Sequence, residues 1–245
     1  LGHEPKGAPE RGDAPADGGQ GLASAASLAA GSVVLDLQQH APRLAAKAQH
    51  DPPSAHRLDR GTSGLLLFAK DADAHRLLCA GFEHQQVRKT YLAWSAGPLP
   101  DQHRVRVTER WQSLLLRGKK RAYVHRAGKE AVTMATPLAV EGHRILWQLC
   151  PKTGRPHQLR VELFLHGCPI LGDSLYGSTL PWPSGVALRA FELNLTDLEG
   201  RQELSLPPKI SLLSDGQDYL SGGRAWKSAL ASSSGRSTHS ACPAP

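Results

Sequence analysis

Asp59 stands between two arginines in the run His56-Arg57-Leu58-Asp59-Arg60-Gly61-Thr62-Ser63-Gly64-Leu65. A carboxylate between two arginines beside a Gly/Thr/Ser turn reads as an active-site loop built around that carboxylate. The same residues could equally form a solvated salt-bridge cluster on a surface. Two further blocks weigh against that bland reading. About 90 residues on comes Pro151-Lys152-Thr153-Gly154-Arg155-Pro156-His157-Gln158-Leu159-Arg160, followed by Gly167-Cys168-Pro169-Ile170-Leu171-Gly172-Asp173 and Tyr176-Gly177. Between them lies Arg88-Lys89-Thr90-Tyr91-Leu92-Ala93.

These blocks need elements to hold them. Ser63 to Lys70 is a short apolar run bounded by a turn, which suits a buried strand. Asp71 or Asp73 can cap a helix running to about Glu83, with Leu77, Leu78 and Phe82 at helical spacing. Thr90 to Ala96 reads as a strand. Val105-Arg106-Val107 and Ala122-Tyr123-Val124 alternate as half-exposed strands do, and Glu130 to Val140 pairs with Ile145 to Cys150 around Glu141-Gly142. Arg155 to His166 has Pro156 near its start and Gly167 after its end, which are helix boundary signals. Val186 to Leu195 reads as a closing strand. Antiparallel strands with few helices predict an α+β fold.

Taken in order, the three blocks resemble the RluA family of RNA pseudouridine synthases, whose members carry HRLD-x-x-TSG, K-x-Y-x-A and TGR-x-HQ-[IL]-R-V followed by PILGD. The resemblance spans roughly residues 54 to 195. It implies the pseudouridine synthase fold, a mixed, mainly antiparallel sheet with flanking helices and a central RNA-binding cleft. It also implies an isomerase that converts uridine to pseudouridine in structured RNA, rRNA or tRNA, by parting N1 from the sugar C1′ and rejoining the base through C5. That isomerisation is redox-neutral and consumes no second substrate, so no cofactor is expected. Asp59 matches the nucleophile, and Arg160 the arginine that pairs with it and holds it charged. Tyr91 matches the tyrosine that stacks on the uracil; with a pKa of about 10 a phenol is a poor base, which favours stacking over proton transfer. Arg57 matches a position that enters the RNA stack in place of the extruded nucleotide, with a plain phosphate contact as its alternative. Arg60, Lys89, Arg155, His157 and Gln158 complete the expected RNA-binding set. Gly64, Gly154 and the Gly172-Asp173 pair read as backbone requirements.

Some positions depart from the pattern. The Asn-Lys-Pro-x-Gly turn that usually precedes the first block is absent, and only Gly31 to Asp36 stands in that region, so an edge strand is expected to be missing or replaced. The usual Arg-Val-His is Arg160-Val161-Glu162, and Leu-His-Ala is Leu188-Arg189-Ala190. A non-catalytic RNA-binding relative is the alternative that these changes raise. An Asp-dependent nucleosidase or glycosidase ranks last, because glycosidases usually rely on two carboxylates and no second acid stands out near the blocks.

Composition sets the limits. Residues 1–31 contain 18 Gly, Ala or Pro with no Val, Ile or aromatic residue, and residues 221–245 contain 17 Ser, Gly, Ala or Pro. Both are expected to be disordered tails around a catalytic domain at 32–220. Of the formal +7, +6 falls on the middle segment, which suits an anionic partner. Nine Lys or Arg between Arg104 and Lys129 face one acid, Glu109, with Trp111 and Tyr123 interleaved, a pattern suited to phosphates and stacked bases or to a solvated basic hairpin. The four cysteines form no CxxC pair and show no His/Cys ligand spacing, so neither a metal site nor a disulfide framework is expected. Apolar runs are too short to span a membrane, and no basic-then-apolar leader opens the chain. A cytoplasmic monomer is expected, with an organelle left open because the chain starts at Leu1.

Overall fold

The computed structural model describes residues 32–36, 54–69, 71–183 and 185–212. The two expected tails lie outside the described residues. Strands run β1 (Ser32–Asp36), β2 (Ser63–Ala69), β3 (Arg88–Ala96), β4 (Glu109–Arg117), β5 (Ala122–Val124), β6 (Lys129–Glu141), β7 (Arg144–Pro151), β8 (Leu188–Asn194) and β9 (Lys209–Ser211). Two helices, α1 (Ala72–Glu83) and α2 (Gln158–Leu165), and a 3₁₀ turn at Ser174–Tyr176 complete the described elements.

The strands form one sheet in the order β1-β2-β8-β3-β7-β6-β4-β5, with β9 added to β8. Every pairing is antiparallel except β2 with β8. The Gly31–Asp36 region therefore does supply an edge strand, β1, despite lacking the expected turn. Val186 to Leu195 was expected to close the sheet, yet β8 lies inside it between β2 and β3. Gly64 permits that insertion: a Cβ there would sit 2.2 Å from the Ala190 carbonyl oxygen. Val105-Arg106-Val107 is not a strand; Arg106 has φ 66 and donates its backbone N–H to Pro137 O, turning the chain before β4.

Local signals account for the helices. Asp71 caps α1, its Oδ1 accepting from Ala74 N at 2.8 Å, and the helix buries Ala74, Leu78 and Gly81. α2 starts later than expected, because His157 at its N-cap is left-handed, φ 55 and ψ 18, and cannot belong to the helix. The main core gathers Leu67, Leu92, Trp94, Trp147, Leu163 and Ile170. A satellite core of Leu115, Ala122, Ala131, Val161 and Tyr176 fastens the β4–β5 hairpin to α2. Among the described residues, Cys79 and Cys168 are free cysteines, the latter fully buried. No described helix is long and apolar enough to cross a membrane.

Candidate active site

The loop before β2, the start of β3, the β4–β5 turn and the segment from β7 into α2 converge on a cleft of about 460 Å3. Arg57, Asp59, Lys89, Tyr91, Arg155 and His157 all line it. Sequence-distant residues thus share one site.

Asp59 is held from behind. Ala55 N donates to Leu67 O at 3.0 Å, and Leu67 N donates to Nε2 of His56 at 3.1 Å, which staples the loop to β2. The His56 ring packs on Phe82 at 4.4 Å. Burial, helped by the nearby Lys89 charge, pushes His56 down to about 3, so it stays neutral and keeps its acceptor nitrogen. Thr62 N closes the turn on Asp59 O at 2.9 Å. The Asp59 carboxylate itself is half-buried and accepts no hydrogen bond from the described residues.

Tyr91 is buried at the base of the cleft, and burial together with the Asp59 charge holds its hydroxyl far above the usual phenol range. Its proton stays on at any physiological pH. Lys89 is pushed down by burial and lies 5.6 Å from the Phe82 ring centroid. Gly154 has no steric need to be glycine, since a Cβ there would meet only Lys89 Nζ at 3.9 Å. Gly172 does: with φ +78, a Cβ would sit 1.9 Å from Gly185 O.

Three expected roles change. Arg160 does not pair directly with Asp59. Its Nε and Nη2 donate to Asp173 Oδ2 and Oδ1 at 2.6 and 2.7 Å, both residues being buried, while Asp59 acts on it only through its field. Asp173 is thus an ion partner as well as part of a turn. Gln158 has no capacity left for RNA: its Oε1 accepts from Thr153 Oγ1 and Arg155 N, and its Nε2 donates to Val132 O and Thr133 Oγ1. It fixes the loop that presents Arg155 and His157. Arg60 is exposed but does not line the cleft.

The basic run divides likewise. Arg117, Lys119, Lys120 and Arg121 are exposed on the cleft rim. Trp111 is buried, stacked on His166 at 3.8 Å with its Nε1 bonded to Glu109, so it offers no face to a base; Tyr123 remains exposed. Glu162 and Arg189 stand outside the cleft: Glu162 is buried and accepts from Ser113 Oγ at 2.7 Å, and Arg189 is buried in β8. Burial raises Glu162 above the usual carboxylate range.

A sequence profile of the RNA pseudouridylate synthase family matches residues 35–164, more than half of the chain. The chain is an RluA-type member of that family. It is 36% identical over 160 residues to ribosomal large subunit pseudouridine synthase C of Rickettsia bellii, covering 63% of this chain and 52% of that one. It is 41% identical over 140 residues to tRNA pseudouridine synthase C of Pasteurella multocida, covering 53% and 57%. The chain therefore spans little more than half the length of these curated relatives. The fold resembles the solved structure of human RNA pseudouridylate synthase domain containing 1, with TM-score 0.59, 22% identity, and 69% and 77% of the two chains covered.

Two residues of the site escaped sequence reasoning. In the sequence, Asp173 reads with Gly172 as a backbone requirement rather than an ion partner, and Tyr176 stands in its block without a role. Both are visible only once the chain folds α2 over the 3₁₀ turn.

Proposed function

We propose that the chain is an RNA pseudouridine synthase that isomerises uridines of rRNA or tRNA. The observation that carries this reading is the Asp59 carboxylate, which accepts no hydrogen bond from the described residues, inside a basic-rimmed cleft of a chain belonging to this family. The exposed guanidinium and ammonium groups of the β4–β5 turn supply the field that attracts a phosphate backbone. Arg57 stands on the Asp59 loop, where it can hold a phosphate or fill the space left by a flipped base. Asp59 engages the sugar of the flipped uridine and releases N1; the base turns in the cleft against Tyr91; C5 then rejoins C1′. The relatives' names, one ribosomal and one tRNA, support both RNA classes. Residues 32–220 are proposed as the catalytic unit, acting as a monomer.

The test is conversion of uridine to pseudouridine in bulk rRNA and tRNA by the purified chain, without added metal or nucleotide and with chelator present. Pseudouridine formation that Asp59→Asn abolishes while RNA binding persists supports the reading. RNA binding by the wild type with no conversion of any RNA would leave only a binding relative of the family.

A further inference from the structure

We propose that Tyr176 is a positioning residue for RNA capture: its hydroxyl fastens the basic tip of the β4–β5 hairpin to the buried Arg160–Asp173 pair and to His157, and so fixes where RNA phosphates are held relative to Asp59. This rests on the synthase reading above and adds to it a side chain that does not itself line the cleft.

The tip of the hairpin needs such a tie. β4 pairs with β6 from Glu109 to Leu115, and beyond Leu115 only β5 accompanies it. The end of β4, the turn and β5 therefore project as a two-stranded ribbon, and such a ribbon is marginally stable in water by itself. Residues 117–122 of this ribbon form one wall of the cleft, with Arg117, Lys119, Lys120 and Arg121 exposed along it. Like charges so close together repel one another, which works against a single fixed position.

The tie is at Ala122. In the β4–β5 ladder, Gly118 N donates to Arg121 O and His125 N donates to Leu114 O. Antiparallel pairs alternate, so Arg117 and Ala122, which are in register, turn their backbone groups away from each other. Ala122 is buried, and its outward N–H and C=O need partners other than water. The Tyr176 hydroxyl accepts from Ala122 N at 2.8 Å and donates to Ala122 O at 3.1 Å. One hydroxyl thus does for the edge of β5 what a neighbouring strand would do.

Tyr176 is in turn anchored on its other side. Its backbone N–H donates to Asp173 O at 3.1 Å, and Arg160 Cζ lies over its ring, 5.1 Å from the centroid. Arg160 holds Asp173 by two hydrogen bonds, and the Tyr176 oxygen is 2.9 Å from Nδ1 of His157, which lines the cleft. The ring also joins Leu115, Ala131 and Val161 in the satellite core. The path from the buried ion pair to the basic tip therefore runs through one side chain. With the tip held, its cations meet the RNA backbone already in place; with the tip released, RNA binding has to order the ribbon as well, and affinity falls by that cost. The groups that act on the uridine stand on other elements, so the rate once RNA is bound should change little.

Tyr176→Phe keeps the ring, its packing and its contact with Arg160, and removes only the oxygen. The dissociation constant for RNA and KM should rise about 10-fold, while kcat at saturating RNA stays within about three-fold of wild type. In a Lys119→Ala/Lys120→Ala background the same change should cost clearly less, because a tip that has lost charge has less binding to lose; a tyrosine that served stability alone would cost the same in both. Hydrogen exchange at Ala122 N–H should be slow in the wild type and fast in Tyr176→Phe, with α2 protected in both. RNA affinity within about two-fold of wild type, a loss carried by kcat with KM unchanged, or equal costs in the two backgrounds overturns the inference. Fast exchange at Ala122 in the wild type also overturns it, and that measurement needs no variant to fold. If the wild type binds RNA but makes no pseudouridine, the synthase reading falls, and the affinity and exchange measurements still decide the role of Tyr176.

Discussion

Asp173 is buried and receives two hydrogen bonds from Arg160, whereas Asp59 is half-buried, accepts none from the described residues and only shares the same arginine's field. The two carboxylates show how one cation can be used twice. A buried guanidinium needs a close partner to offset the cost of leaving water, and Asp173 fills that need. With its Nε and Nη2 turned to Asp173, Arg160 makes no hydrogen bond to Asp59, yet its charge still favours the ionised nucleophile at a distance. The carboxylate that stabilises the fold is the one that is neutralised, and the one that reacts is left open.

The strongest way to break this comparison is to remove each carboxylate in turn. Asp59→Asn should lower turnover by at least about 10⁴-fold while shifting unfolding free energy by no more than about 0.5 kcal/mol, as read by single-turnover assay and denaturant titration. Asp173→Asn should do the reverse in stability: stranding buried Arg160 should cost about 3–5 kcal/mol, seen as a lower denaturant midpoint. If Asp173→Asn is as stable as wild type, the contrast between the two acids is wrong.

A smaller effect tests the loop that carries Asp59. His56 has its value depressed from 6.5 to about 3 in the fold. The unfolded chain therefore takes up a proton first as pH falls. Stability from the neutral ring is fully present above about pH 6.5 and is lost as pH drops toward 3, by at most about 1.4 kcal/mol per pH unit for one group. His56→Gln should flatten that slope; an unchanged slope would show that His56 does not titrate with unfolding.

The smallest effects belong to the rim. Lys119→Ala with Lys120→Ala should weaken binding to all RNAs alike and reduce the slope of log affinity against log salt by about 1–2, while leaving stability near wild type. Arg57→Ala separates two roles. Greater loss of turnover on a stem-loop than on an unpaired oligonucleotide marks a side chain that fills the flipped base's place, and equal losses on both mark a phosphate contact.

Residue types and order by themselves determined the family resemblance, the nucleophile candidate Asp59, the extent of α1 with its cap narrowed to Asp71 or Asp73, and the β6–β7 hairpin, because each rests on contacts close in sequence or on a motif read whole. Three further features depended on where distant segments meet. β8 entered the middle of the sheet because Gly64 lets β2 approach it, a fit that no strand pattern encodes. Arg160 chose Asp173 over Asp59 because α2 and the 3₁₀ turn bury the two together. Val105 to Val107 alternates like a strand, but Arg106 takes a left-handed backbone and bonds to Pro137, so tertiary packing overrode the local preference. Local chemistry names the groups that can react, and the shared burial of distant segments decides which of them keep a free lone pair.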